Sequence, residues 1–310
     1  MKKYRLTIGL LSFFSVSVLA GQAKQRTVNE ETYKIYNTII DEIELGYIDE
    51  GQGDTILFFV HGLGSNKLAW IRNISELKNH YRCIAVDLPG YQDSPATDEN
   101  YSLKDYAQIL SVFMGRFEGR KILAGHSMGG QIALWMGIIF PDHLDDIILI
   151  APAGFEKFTT EEAIMMKNTY RPEFIASSND AQIEASIKVN FYQFPENAHF
   201  MIEDRMHLRA QPQFKRYTEI VAGQISAMLD EPVLENFEEI KTPVLLVFGD
   251  QDMLIPNRFF HAGLTINALA SKAKELLNDC HLVMIENGGH LLQWEKSKEM
   301  NHAILNFIQR

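Results

Sequence analysis

The run Gly125-His126-Ser127-Met128-Gly129-Gly130 sets one serine between glycines at the spacing Gly-x-Ser-x-Gly. A short apolar run lies ahead of it at residues 121–124, and residues 131–140 behind it read as a helix. In that context the serine sits on a tight strand-to-helix turn. Residues two positions either side must be nearly free of side chain, and the hydroxyl is presented at the positive end of the helix. The five-residue pattern alone is common in loops; the strand before and the helix after give it weight. Ser127 is therefore the candidate nucleophile.

A serine hydroxyl attacks poorly until a base takes its proton and a third group orients that base. After an elbow of this kind the acid and then the histidine follow in the chain. Gly249-Asp250-Gln251-Asp252 closes one strand-like run, and Asn287-Gly288-Gly289-His290 closes the last one. The acid is Asp250 or Asp252. Asp250 adjoins the strand end, where a carboxylate caps a turn, which favours Asp252. Among the ten histidines, His80, His143, His199, His207, His261 and His302 fall in helices or loops without an implied partner. His281 opens a strand, His126 packs or hydrogen-bonds locally beside Ser127, and His61 belongs to a separate motif. His290, in a Gly-flanked loop, remains as the base. That separate motif, His61-Gly62-Leu63-Gly64, follows the apolar run 55–60. Its glycines let the backbone aim an N–H at a reacting carbonyl, so the candidate oxyanion donors are the N–H groups of Leu63 and Met128. His61 is expected to brace this loop.

Positioning these groups requires a sheet. Runs at 55–60, 82–86, 121–124, 146–150, 243–248 and 281–285 are apolar on both faces, as parallel strands covered by helices must be. Helical stretches separate them. Ser102 is placed to cap one whose Leu103, Ala107, Leu110, Met114 and Phe117 recur at helical spacing. Met300, Ile304, Phe307 and Ile308 give the last helix its apolar face. The rhythm breaks between Ile150 and Pro243, where helices are expected at 160–169, 180–191, 198–208 and 214–229. This Met- and Phe-rich insertion reads as a cap over one end of the sheet, and its apolar side chains suit an acyl pocket. No cluster of Arg or Lys is evident near the motifs.

The chain has 310 residues, 46% hydrophobic, and a formal charge of −11 without a basic block in its body, which argues against a binder of nucleic-acid backbone. Lys2, Lys3 and Arg5 precede an uncharged stretch from Leu6 to Ala20 with small residues at its exit, the pattern of a secretory signal peptide cut after Ala20. The stretch is short for a bilayer span, and no cysteine follows it to carry a lipid. Its removal takes three positive charges, from −11 to about −14. The product is expected to be periplasmic or secreted. Residues 21–40 read as a short helix or an extended arm. Cys83 and Cys280 lie at strands expected to be far apart, and both are expected as buried free thiols. No metal-ligand spacing and no phosphate or dinucleotide fingerprint appears, so no metal or cofactor is expected.

From Glu44 to Arg310 the chain resembles the α/β-hydrolase family. The likeness rests on His61-Gly62-Leu63-Gly64, Asp87-Leu88-Pro89-Gly90-Tyr91 with Ser94, the Ser127 elbow, Gly249 with Asp252, and Gly289-His290 with Glu295. It implies an α/β fold with a mostly parallel eight-stranded sheet, helices on both faces and a helical cap after strand six. The expected division is core at 21–153 and 241–310 with the cap at 154–240. It also supports Asp252 as the acid and gives the Asp87 motif a structural role. Serine at 127 disfavours haloalkane dehalogenases and epoxide hydrolases, which use aspartate there. The elbow looks like those of lipases and carboxylesterases, implying a small-molecule or lipid ester substrate and transient contact of the cap with a lipid surface. Carbon–carbon bond hydrolases of aromatic ring cleavage share much of the pattern, but commonly carry asparagine where this chain has His126. Their catabolism is also normally cytoplasmic. A non-catalytic binding module on the same scaffold is a third alternative.

Overall fold

A computed structural model describes residues 24–310, so the expected signal peptide at 1–20 lies outside the described residues. Nine strands form one sheet: β1 (Lys24–Val28), β2 (Glu31–Ile40), β3 (Ile43–Glu50), β4 (Thr55–Val60), β5 (Arg82–Val86), β6 (Arg120–His126), β7 (Asp146–Ile150), β8 (Val244–Gly249) and β9 (Cys280–Ile285). Their order across the sheet is β1-β2-β3-β5-β4-β6-β7-β8-β9. The pairs from β5–β4 through β8–β9 are parallel, and the β1–β2, β2–β3 and β3–β5 pairs are antiparallel. The fold is that of the α/β-hydrolases, with one strand more than the expected eight.

The additional strand is β1, and it arises where a short helix or extended arm was expected. Residues 24–40 form a hairpin in which Tyr33 and Ile35 are buried while Thr32 and Lys34 face solvent. That alternation is what an antiparallel strand with one covered face requires. Central strands behave differently. In β4, Ile56, Phe58 and Val60 enter one apolar cluster while Leu57 and Phe59 enter another on the opposite face.

Helices α1 (Ile71–Leu77), α2 (Leu103–Met114) and α3 (Met128–Ile139) belong to the first half of the chain. Ser102 accepts from Asp105 N and Asp105 accepts from Ser102 N, a reciprocal cap worth about 1 kcal/mol to α2. Between β7 and β8 come α4 (Thr160–Thr169), α5 (Pro172–Ala176), α6 (Asp180–Lys188), α7 (His199–Arg209) and α8 (Phe214–Asp230). This is the insertion, and α5 adds a short helix to the four expected there. α6 stops at Lys188 rather than 191, because the Asn190 side chain takes the carbonyls of Ser186 and Ile187. The chain closes with α9 (Ile266–Leu276), α10 (Leu292–Glu295) and α11 (Ser297–Ile308). Helices α1, α10 and α11 cover one face of the sheet, and α2, α3 and α9 the other, where α8 packs against α2.

Both cysteines are free. Cys83 is buried in β5, whereas Cys280, at the exposed start of β9, is only partly covered, contrary to expectation. Burial pushes the Cys280 thiol up to about 11 and the Cys83 thiol higher still, so neither is a reactive thiolate.

Candidate active site

β6 runs to His126, α3 begins at Met128, and Ser127 makes the turn between them at φ 52°, ψ −116°. A non-glycine residue there carries about 1–3 kcal/mol of strain, which the surroundings must hold. Ser127 N donates to Ile150 O at 3.0 Å, and Ser127 O accepts from Gly130 N at 2.9 Å and Ala153 N at 3.0 Å. The flanks leave no room for side chains. A Cβ on Gly125 would stand 2.2 Å from Gly129 O, and one on Gly129 would stand 2.5 Å from Val60 O.

His290 lies after β9, and its Nδ1 meets Asp252 Oδ2 at 2.7 Å, both residues 3% exposed. The other carboxylate oxygen, Oδ1, accepts from Leu254 N at 2.8 Å and Ile255 N at 3.0 Å, which fixes the plane of the group. Asp250 does not reach His290; its N–H closes onto Ile285 O and its buried Oδ1 has no partner. Ser127 and His290 line one cavity of about 710 Å³. They are not hydrogen-bonded to each other here, a looseness common before substrate binds.

Glu295 holds the histidine loop. Its Oε2 accepts from Gly289 N (2.9 Å) and Tyr192 N (3.1 Å), and its Oε1 from Gln193 N (2.6 Å). Leu291 N adds a bond to Asn190 O at 2.8 Å. The loop is thus sewn to the segment that follows α6. A Cβ on Gly289 would press to 2.4 Å from Tyr192 N, so only glycine allows this approach.

His126 donates from Nε2 to His290 O at 3.0 Å, its ring centroid 4.8 Å from that of His290. Burial, with His290 alongside, holds the His126 imidazole well below its ordinary 6.5, so it stays neutral. It is a local packing and hydrogen-bonding residue. His61 accepts from Leu88 N at Nε2 (3.1 Å) and donates from Nδ1 to Gly62 O (2.8 Å), joining its loop to the Asp87 turn. Burial also lowers the His61 imidazole. Within that turn, Asp87 and Asp93 both accept from Lys67 Nζ, and all three side chains are buried. Burial would raise the Asp93 carboxyl, but Lys67 and Lys24 outweigh it and hold it below the usual range.

Among the described residues, no group accepts a hydrogen bond from Leu63 N or Met128 N. Leu63 lines the cavity just after the His61-Gly62 turn, and Met128, fully buried, opens α3 next to Ser127. The cavity wall divides the cap's apolar side chains. Met166, Phe191, Phe200 and Met201 line it, while Met165 and Phe174 point to solvent.

Five charged residues that the motifs do not reveal line the cavity, namely Glu156, Lys157, Asp204, Arg205 and Glu235. Arg205, on α7, lines it and donates to Gly64 O, its guanidinium 5.0 Å from the Tyr217 ring. No carboxylate pairs with it among the described residues. Glu156, on the loop after β7, is buried against His261 Nδ1 (2.6 Å) and Asn257 N (2.6 Å). Burial raises its carboxyl despite those bonds. Only chain folding brings either residue here; a basic residue on an exposed-looking helix gave no signal. Among the described residues no group of three or more His, Cys, Asp or Glu is arranged to hold a metal.

The sequence model of the alpha/beta hydrolase family matches residues 57–303. A 2-hydroxy-6-oxononadienedioate/2-hydroxy-6-oxononatrienedioate hydrolase of Burkholderia vietnamiensis is 27% identical over 296 residues, covering 90% of this chain and 96% of that protein. A thermophilic esterase from Thermogutta terrifontis superposes with a TM-score of 0.70 at 21% identity, covering 93% of this chain and 98% of its own. A meta-cleavage product hydrolase from Pseudomonas fluorescens IP01 superposes with the same score of 0.70 at 18% identity, covering 88% and 97%. The two structural likenesses are likenesses of fold.

Proposed function

Because the chain belongs to the alpha/beta hydrolase family, we propose that it is a serine hydrolase that cleaves carboxylic esters through an acyl-enzyme. The observation that carries this reading is the meeting of Ser127 and the His290–Asp252 pair at one cavity. Ser127 Oγ attacks the ester carbonyl as His290 Nε2 takes its proton, and Asp252 holds the imidazole with its Nδ1–H inward. The oxyanion receives the N–H groups of Leu63 and Met128, each such donor being worth about 3 kcal/mol of barrier. Collapse expels the alcohol, which takes the proton from His290. Water, activated by the same base, then releases the acid and frees Ser127. The apolar cap wall suits an uncharged acyl chain. We place the enzyme outside the cytoplasm, on the basic and apolar character of residues 1–20.

The test is turnover of p-nitrophenyl esters of rising chain length, with Ser127→Ala as control. Ser127-dependent hydrolysis with an optimum at one chain length is expected; a protein that turns over none of them would sink the ester reading.

Arg205 favours a second reading, hydrolysis of a carbon–carbon bond in a vinylogous diketone. A guanidinium without a carboxylate partner beside the oxyanion loop suits a substrate that carries its own carboxylate. The Burkholderia relative is named for dioate substrates. A coloured ring-cleavage product would then bleach far faster than any ester is cut.

A further inference from the structure

α7 buries only one of its side chains, Ile202, and its first turn has no side-chain cap. Phe200, Met201 and Leu208 pack against the core only in part, so polar tethers add to apolar contact in fixing where it lies. The tethers come from the edge of the sheet. Arg26, on β1, donates from Nη2 to both carboxylate oxygens of Asp204 on α7. Asn29, in the turn after β1, donates to Asn197 O at 2.9 Å, and Asn197 Oδ1 accepts from Trp294 Nε1 at 3.1 Å in α10. The residue next to Asp204 is Arg205. Successive helical residues diverge by about 100°, so Asp204 turns to β1 while Arg205 turns to the loop at 61–64 and donates to Gly64 O. Gly64 N in turn donates to Tyr91 Oη at 3.3 Å. One end of this chain of contacts is an edge strand that the family match at 57–303 does not include. The other end is one residue from the oxyanion donor Leu63.

We infer that Arg26 is a remote positioning residue for the active site: through Asp204 it holds α7 so that Arg205 rests on the oxyanion loop. This rests on the reading of Ser127 as the nucleophile and adds to it a strand that secures the cap from outside the hydrolase core. Arg26 touches no reacting atom. It acts on the cap wall and thereby on substrate binding.

The experiment compares wild type, Arg26→Ala and Arg26→Lys in the full chain. Hydrogen exchange of residues 199–209 reports the tether, and ester KM and kcat report its consequence. A partly exposed ion pair supports an effect of up to about five-fold. Arg26→Ala is expected to speed exchange in α7 by about that factor and to raise KM similarly, leaving kcat within about two-fold. Arg26→Lys should restore both, because a single nitrogen makes the contact. High salt should speed α7 exchange in wild type but not in Arg26→Ala. Unchanged α7 exchange in Arg26→Ala, or a loss confined to kcat, overturns the proposal. If wild type cuts no ester, the ester reading fails, while the exchange data still decide whether Arg26 places α7.

Discussion

Ser127 occupies a backbone conformation that its own Cβ opposes, and it is kept there by four backbone hydrogen bonds and two glycines that admit no substituent. Strain held this way presents a hydroxyl rigidly without help from a ligand. The choice between the two neighbouring aspartates follows from contacts: Asp252 meets His290 Nδ1, and Asp250 meets no side chain. Asp252→Asn, which favours the wrong imidazole tautomer, should lower kcat by about 10⁴-fold, while Asp250→Asn stays within about ten-fold. Steady-state kinetics on the best p-nitrophenyl ester decide this. Arg205→Met should weaken substrates bearing a carboxylate by about ten-fold or more and spare neutral esters; competition between a neutral ester and its carboxylate analogue checks it. The elbow was legible in the sequence because its sterics demand glycines at fixed offsets from Ser127. Arg205 and Glu156 were not, because they reach the cavity from the cap and from a loop, and no local spacing encodes that.

At the scale of elements, the active-site loops are fastened by charge. Glu295 gathers three backbone N–H groups from two segments, and Lys67 neutralises two buried aspartates under the His61 loop. Glu295→Ala removes the acceptor of those donors, two of them at exposed positions, and should cost about 1–2 kcal/mol, read as a lower urea midpoint at unchanged slope. Lys67→Met leaves Asp87 and Asp93 buried without their cation and should cost about 3–5 kcal/mol in the same measurement. Central strands could be read directly, since burial on both faces forces continuous apolar runs. The β1–β2 hairpin could not, because alternating Thr32, Tyr33, Lys34 and Ile35 resemble a polar arm until an apolar layer covers one face. The run of helices between β7 and β8 was readable from the lost strand rhythm; which of its Met and Phe side chains face the cavity required the helices to be seated.

For the whole molecule, two buried imidazoles, His61 and His126, are held below their ordinary 6.5 by burial. The unfolded chain binds protons at those sites as pH falls through 6.5 and the folded chain does not, so stability declines with falling pH. From pH 7.5 to 6 the two together should remove up to about 1.5 kcal/mol. The carboxyls of Glu156, which is buried, and Asp204, which is part-buried, are raised by desolvation, so the folded state takes up protons first and they act in the opposite sense at lower pH. Urea unfolding across that window should show the decline; a midpoint that rises from pH 7.5 to 6 contradicts it. The central claim is that Ser127 is the nucleophile, and mass spectrometry of the intact protein after brief exposure to a fluorophosphonate tests it most directly. One adduct is expected, located by digestion to Ser127, absent in Ser127→Ala and slowed in His290→Ala. An unlabelled Ser127 in the folded protein, or equal labelling of Ser127→Ala, would contradict the account.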